Sequence, residues 1–220
     1  MEYKVAEKFV SINGEGTRSG QLAVFIRFCG CNLNCSFCDT AWVNEEDTKY
    51  SLMDEMQIVE YIMESGIKNV TLTGGEPLRQ PGIHNLIQML TDKGLYVEIE
   101  TNGSVPIKEY KNIVPLPSFT LDYKLPGSGM EKYMDTENFN YVSHNDTIKF
   151  VAGDMKDLEK FREIIDKYNL VDKCNVYLSP VFGRIEPEKM VEYMKAYRLN
   201  GVNMQLQIHK IIWSPDKRGV

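Results

Sequence analysis

Three cysteines fall within eight residues, as Cys31-Asn-Leu-Asn-Cys35-Ser-Phe-Cys38. Iron–sulfur clusters are normally held by four cysteine thiolates. Three thiolates on a four-iron cluster leave one iron without a protein ligand and open to a small molecule. A zinc site completed by a distant histidine uses the same residue types, and so do three unrelated buried cysteines. The remaining two, Cys29 and Cys174, sit at apolar strand segments and read as small buried hydrophobes.

Other residues with chemical capacity gather at the ends of apolar segments. Thr73-Gly74-Gly75-Glu76-Pro77 follows one of them. Its glycines permit close backbone approach to a ligand, although paired Gly and Glu-Pro are also ordinary turn formers. Glu100-Thr101-Asn102-Gly103 is either a plain turn or a carboxylate placed toward a ligand. Asp122-Tyr123-Lys124 is either part of a site or a surface ion pair of little consequence. Arg27 interrupts an apolar strand. Burying it is costly unless it is paired, so it reads as functional or as an edge residue with a wet guanidinium. Thr40 reads as a cap or loop hydroxyl. The basic tail after Trp213 frays as most termini do, unless Ile211, Ile212 and Trp213 anchor it.

Strands and amphipathic helices must position these residues. Period-2 patterning marks strands at 23–29, 69–73, 95–101, 119–123, 147–151, 175–179 and 204–209. Helices are expected at 54–64, with Ser51 and Asp54 as a capping box, and at 83–93, closed by Gly94. A third is expected at 157–168. A fourth begins at Pro187 and turns Met190, Val191, Met194 and Tyr197 inward. Segment 126–145 is polar and reads as a long mobile loop. The alternation predicts one α/β domain over residues 1–220, an open, partial (β/α) barrel of about six strands. Chemistry in such barrels sits at the C-terminal strand ends, where the candidate residues fall.

Composition narrows the function. A net charge of −6 offers no basic field for a nucleic-acid backbone. Five cysteines, an odd number with three clustered, argue against a disulfide framework and for a reducing, cytoplasmic setting. No segment reaches membrane-spanning length or reads as a signal peptide. A small-molecule substrate is expected, with no nucleic-acid or membrane partner.

The cysteine spacing, with the aromatic Phe37 before the last cysteine, resembles the signature of radical S-adenosylmethionine enzymes. The stretches FVSINGEG, RFCGCNLNCSFCDT, TLTGGEP, IETNG, DYKLP and QIHKIIWSPDKRGV are similar to the 7-carboxy-7-deazaguanine synthase family, over nearly the whole chain. That resemblance implies a 4Fe-4S cluster on Cys31, Cys35 and Cys38, whose open iron takes S-adenosylmethionine. Phe37, Cys38, Asp39, Gly75, Glu76, Glu100, Asp122, Tyr123, Lys124 and Ser179 are then the cofactor contacts, Glu76 accepting from the methionine ammonium and Lys124 pairing with its carboxylate. It implies Mg2+ on Thr40, since Mg2+ takes few protein ligands. It implies the substrate 6-carboxy-5,6,7,8-tetrahydropterin, held by Ile12, Asn13, Gly14, Glu15, Arg27, Thr73, His209 and the carboxylate of Val220. Where many members carry Gln this chain has Asn13, which leaves its side-chain contact open. The resemblance further implies a flavodoxin- or ferredoxin-type electron donor and a homodimer. Two other functions share part of the pattern: a glycyl-radical activating enzyme and a non-catalytic zinc module.

Overall fold

The computed structural model describes residues 1–215 and 217–220. The chain opens with β1 (Glu2–Ile12) and β2 (Leu22–Phe28), an antiparallel pair. Next come β3 (Ser51–Asp54), α1 (Glu55–Glu64) and β4 (Asn69–Gly74). The pattern continues with α2 (Ile83–Asp92), β5 (Tyr96–Thr101), β6 (Ser118–Tyr123), β7 (Thr147–Ala152), α3 (Met155–Tyr168) and β8 (Asn175–Pro180). α4 (Pro187–Tyr197), β9 (Val202–Met204) and α5 (His209–Ile212) complete it. Among the described residues nine strands form one open sheet in the order β3-β1-β2-β4-β5-β6-β7-β8-β9. From β2 onward every neighbouring pair is parallel. The six strands β2 and β4 to β8 are those expected from the sequence. β1, β3 and the shortness of β9 are additions to that expectation. β1 escapes a period-2 reading because its register shifts between Val5 and Glu7, and a bulge breaks the alternation of faces.

The sheet's two faces differ in kind. On the convex face, Val70, Leu72, Val97, Ile99, Phe119 and Leu121 pack under α1 and α2 in one apolar cluster. Phe150, Val176, Leu178, Phe161, Leu158 and Met190 form a second beneath α3 and α4. The concave face carries Thr71, Thr73, Glu98, Thr120, Lys149 and Ser179, all buried and polar. Strand alternation produces this split directly. Leu121 and Tyr123 go to the core, and Thr120 and Asp122 go to the concave side. Register then stacks the polar set, pairing Arg27 with Thr73, Glu100 with Thr120 and Asp122 with Lys149.

Several local expectations need correction. The N-cap of α1 is Asp54, with Gln57 completing the capping box through two 2.9 Å bonds. Ser51 lies in β3. In α4 the buried residues are Met190 and Tyr193, while Val191 and Tyr197 are exposed. Segment 126–145 is a packed series of 3-10 turns at Pro126–Ser128, Glu131–Tyr133 and Thr136–Asn140. Its polar composition is deceptive because the polar groups bond inward. Asn138 accepts from Ile107 N–H at 2.9 Å and donates to Val105 O at 3.0 Å, while Phe139 enters the core. The last strand ends at Met204, and His209 opens α5. Cys29 lies just past β2 and is only partly buried, whereas Cys174 is buried as expected.

Candidate active site

A cavity of about 440 Å³ opens at the C-terminal strand ends. Cys31, Cys35 and Cys38 all line it. Their loop is held by bonds from distant segments: Ser36 N–H donates to Ser128 O at 3.1 Å and Ser36 hydroxyl to Gly127 O at 2.8 Å. The Asn102 amide reaches the Cys31 sulfur at 3.5 Å and Asn32 Oδ1 at 3.0 Å. Burial pushes the Cys35 thiol up to about 11, against the pull of Lys124 nearby.

The glycine pair sits beside these cysteines and admits no side chain. A Cβ on Gly75 would collide with the Gly30 carbonyl, and Gly74 stands at φ +126° against the Phe28 backbone. Gly75 N–H and Glu76 N–H donate to Phe28 O and Gly30 O at 2.9 and 2.8 Å. Glu76 does not face the cavity as expected. It is wholly buried and accepts from Leu78 N–H at 3.0 Å, the Thr101 hydroxyl at 2.8 Å and Asn102 N–H at 2.7 Å. The reason is local: the short 3-10 turn Pro77–Arg79 needs an N-cap, and the Glu76 carboxylate supplies it. Burial raises its pKa, opposed by those three donors.

The floor and walls are an ion network. Glu15 accepts from Lys149 Nζ at 3.2 Å, the Gln207 amide at 3.0 Å and the Ser179 hydroxyl at 3.2 Å. Lys149 also lies 3.7 Å from Asp122, which pairs with Lys124 at 2.7 Å. Burial would push Glu15 up, but Lys149 and Gln207 outweigh it and hold the carboxyl below its usual range. Burial would likewise pull Lys149 down, and Glu15 with Asp122 holds it well above the ordinary lysine value. The Thr73 hydroxyl donates to Glu100 at 2.8 Å. Arg27 donates through Nε to Glu7 at 3.0 Å and lies against the Phe9 ring, which stacks on Phe25. Its two terminal nitrogens have no hydrogen-bond partner among the described residues.

The chain's own end closes the mouth. His209, Lys210, Pro215, Lys217, Arg218, Gly219 and Val220 line the same cavity. Lys210 pairs with Asp39 at 3.0 Å, and the Arg218 guanidinium stacks 4.1 Å from the Trp42 ring. Burial pulls the His209 imidazole below its ordinary value.

Comparison with known proteins decides what this arrangement is. A model of the Radical SAM superfamily matches residues 25–125. A 7-carboxy-7-deazaguanine synthase from Clostridium acetobutylicum is 61% identical over the whole of both chains. One from Chlorobaculum tepidum is 34% identical, covering 98% of this chain and 96% of its own. This chain belongs to the 7-carboxy-7-deazaguanine synthase family. It is a radical S-adenosylmethionine enzyme, and the family implies the 4Fe-4S cluster and S-adenosylmethionine. The fold is shared with a solved structure: QueE from Escherichia coli superposes with a TM-score of 0.72 at 21% identity over 94% of each chain.

Most residues expected from the sequence meet in this one cavity: Ile12, Gly14, Glu15, Arg27, the three cysteines, Phe37, Asp39, Thr40, Thr73, Gly75, Glu100, Asp122, Lys124, His209 and Val220. Four do not line it. Tyr123 faces the opposite side of β6, against Phe139 and Phe150, so only its backbone is near the site. Asn13 is buried, with Oδ1 accepting from the Thr71 hydroxyl at 3.0 Å and its amide nitrogen without a partner among the described residues. Ser179 is buried behind Glu15, and Glu76 braces the glycine loop. Glu7, Lys149, Gln207, Lys210 and Arg218 line the cavity and were not anticipated. A lysine on the inward face of β7 was the one available signal, since Lys149 interrupts an apolar strand as Arg27 does.

The donor set suits the implied groups. Three thiols face one cavity beside a backbone cradle too tight for any side chain, with Lys124 and Asp122 within the same wall.

Proposed function

We propose that this cavity converts 6-carboxy-5,6,7,8-tetrahydropterin to 7-carboxy-7-deazaguanine with loss of ammonia, within queuosine biosynthesis, in one domain spanning the chain. One observation carries the reading: the three cysteines, Arg27, Glu15, His209 and Val220 all line a single cavity. A carboxylated, flat, donor-rich ring needs such a set. Arg27 forks onto its carboxylate with the guanidinium nitrogens not engaged by Glu7. Glu15, held ionised by Lys149, accepts from the guanidine-like edge, as does the Val220 carboxylate. The backbone of Ile12 and Gly14 and the His209 imidazole border the ring.

Cys31, Cys35 and Cys38 would hold the 4Fe-4S cluster. The Gly74–Gly75 backbone, Phe37, Asp39, Glu100, Asp122 and Lys124 would hold S-adenosylmethionine, with Tyr123 contributing only backbone. Ser179 acts by fixing Glu15. Bound there, the cluster and S-adenosylmethionine would supply one-electron reduction and the hydrogen-atom abstraction that starts the reaction. The protein's part is to orient the pterin, exclude water with residues 205–215 and 217–220 and keep Glu15 charged. Thr40, 3.6 Å from the Cys38 sulfur, is the proposed Mg2+ ligand. A flavodoxin- or ferredoxin-type donor, a homodimeric state and a cytoplasmic location complete the proposal. No described helix is long and apolar enough to cross a membrane.

The test is anaerobic incubation of reconstituted protein with reductant, S-adenosylmethionine, Mg2+ and the carboxypterin, followed by mass spectrometry. Formation of 7-carboxy-7-deazaguanine is expected. Reductive cleavage of S-adenosylmethionine with no conversion of the pterin would overturn the substrate assignment.

A further inference from the structure

One carboxylic acid beneath the cavity has no part in the chemistry above. Glu98 is buried, with 7% of its surface exposed. It shares the inward face of β5 with Glu100, two residues nearer the strand's start. Its Oε1 accepts from the Thr120 hydroxyl at 2.6 Å. Thr120 lines the cavity and stands opposite Glu100 in the β5–β6 register. It therefore touches the buried carboxyl on one side and the ligand space on the other.

The surroundings of Glu98 are closed and uneven in charge. The backbone at Gly16 packs beneath it, so near that a Cβ there would lie 3.2 Å from Oε1. That segment is pinned by Gln205, which accepts from Gly16 N–H at 2.7 Å and donates to Gly16 O at 3.2 Å. Glu100 faces it from β5, Lys149 from β7, Tyr177 from β8 and Arg18 from the segment below. Burial, then the charge of Glu100, pushes the Glu98 carboxyl up to about 7, against the pull of Thr120, Lys149 and Arg18.

We propose that Glu98 stores a proton beneath the cavity and exchanges it with the bound substrate through the Thr120 hydroxyl during loss of ammonia. The proposal rests on the substrate assignment above. Substrate and product differ by one NH3, so the step needs no oxidant. Ring contraction exchanges one C–N and one C–H bond for a C–C and an N–H bond; as the remaining C–N bond then breaks, the departing amine keeps the electron pair and takes one proton, passed from Glu98 through Thr120. A carbon-bound proton leaves as the new ring C=C bond forms, and Glu98 recovers it. A hydroxyl has one donor and two acceptor positions. With Glu98 protonated, its O–H donates to Thr120 Oγ1, and the Thr120 hydrogen is freed for the ligand. With Glu98 ionised, the bond runs as observed. Glu98 thus acts through Thr120 and is a positioning residue for a proton rather than a group in contact with substrate.

The experiment uses reconstituted, Mg2+-supplied holoenzyme under anaerobic conditions. Product formation and cleavage of S-adenosylmethionine are followed across about pH 6 to 9 for wild type, Glu98→Gln, Thr120→Val and Thr120→Ser. Glu98→Gln keeps shape and hydrogen bonding but cannot titrate. It should lower kcat on the order of 100-fold, erase the pH dependence near neutrality and leave KM within about twofold. Its reductive cleavage of S-adenosylmethionine without pterin should match wild type. Thr120→Val should lose the same pH dependence, and Thr120→Ser should restore it. Glu98→Gln with wild-type kcat and pH profile overturns the relay while leaving the substrate assignment intact. Wild type that makes no product overturns both. If Glu98→Gln fails to retain its cluster, the Thr120 pair decides: Val with a wild-type profile refutes the relay, and loss in Val with recovery in Ser supports it.

Discussion

Replacing Lys149 by Met tests whether the floor of the cavity is the ion network described. Met matches the length of the lysine stem and removes the charge together with its hydrogen bond to Glu15. Lys149 lies 3.2 Å from Glu15 and 3.7 Å from Asp122, and the side chains are 11%, 10% and 18% exposed. Losing one partner of a buried pair costs about 3–5 kcal/mol, because the other charge stays buried without compensation. Asp122 keeps Lys124 at 2.7 Å, and Glu15 keeps Gln207 and Ser179, which places the loss near the lower bound. About 3 kcal/mol in a chain of this size lowers Tm by roughly 6–12 °C. Scanning calorimetry or urea denaturation of the reconstituted protein measures it. Adding Glu15→Gln should recover much of the loss, since a buried amide needs donors and acceptors but no counter-charge. The pH dependence has a definite sign. Glu15 is held below its usual value of 4.5 in the folded protein. Its stabilisation is therefore complete above the unfolded pKa and is lost as pH falls through the folded one. Lys149 is held well above 10.5, so its share is complete below that value and is lost only as pH rises through the folded pKa. The gap between wild type and Lys149→Met should hold constant across neutral pH and narrow in acid. A loss under about 1 kcal/mol, the range of an exposed pair, would refute the network, as would a double mutant no more stable than the single.

Four further outcomes follow from the geometry. Cys31→Ala, Cys35→Ala or Cys38→Ala should abolish iron binding and activity, whereas Cys29→Ala and Cys174→Ala should keep about four iron per chain by iron and sulfide analysis. Gly75→Ala should lose cluster and activity together, since its Cβ meets the Gly30 carbonyl; a variant with wild-type iron content would show that the loop can yield. A tag appended to Val220 should raise KM or stop turnover while the same tag at Met1 is tolerated and Val220→Ala is mild; equal kinetics for the two tagged forms would remove the terminus from the site. Thr40→Ala should blunt the stimulation by Mg2+ with iron content unchanged, and an undiminished response would free Thr40 of that role.

Residues whose function is set by local spacing could be read without a structure. The cysteine triplet is one such case, because thiolates within eight residues of one loop can reach a shared cluster whatever surrounds them. The alternation of apolar strands and amphipathic helices is another, and it placed six parallel strands and the catalytic end of the sheet. Capping was legible only in part: Gly94 closes its helix at φ +72°, but Asp54 takes the cap assigned jointly with Ser51. What the chain order could not convey was direction and distance. The DYK motif looked like one unit, yet a strand turns Asp122 and Lys124 to the site and Tyr123 to the core. Glu76 looked like a ligand contact until the turn after it required a cap. Asn13 turned its Oδ1 to Thr71, fifty-eight residues away. The largest omission, Lys149, acquires its meaning from Glu15, 134 residues earlier, and such a partnership has no local trace. Segment 126–145 appeared loose because its polar atoms resemble those of a solvated loop, and only folding shows them bonded inward. Local patterns express what a few neighbouring residues prefer. The charge state of a buried carboxylate depends on which distant cation the sheet brings beside it, and that is decided by register and closure.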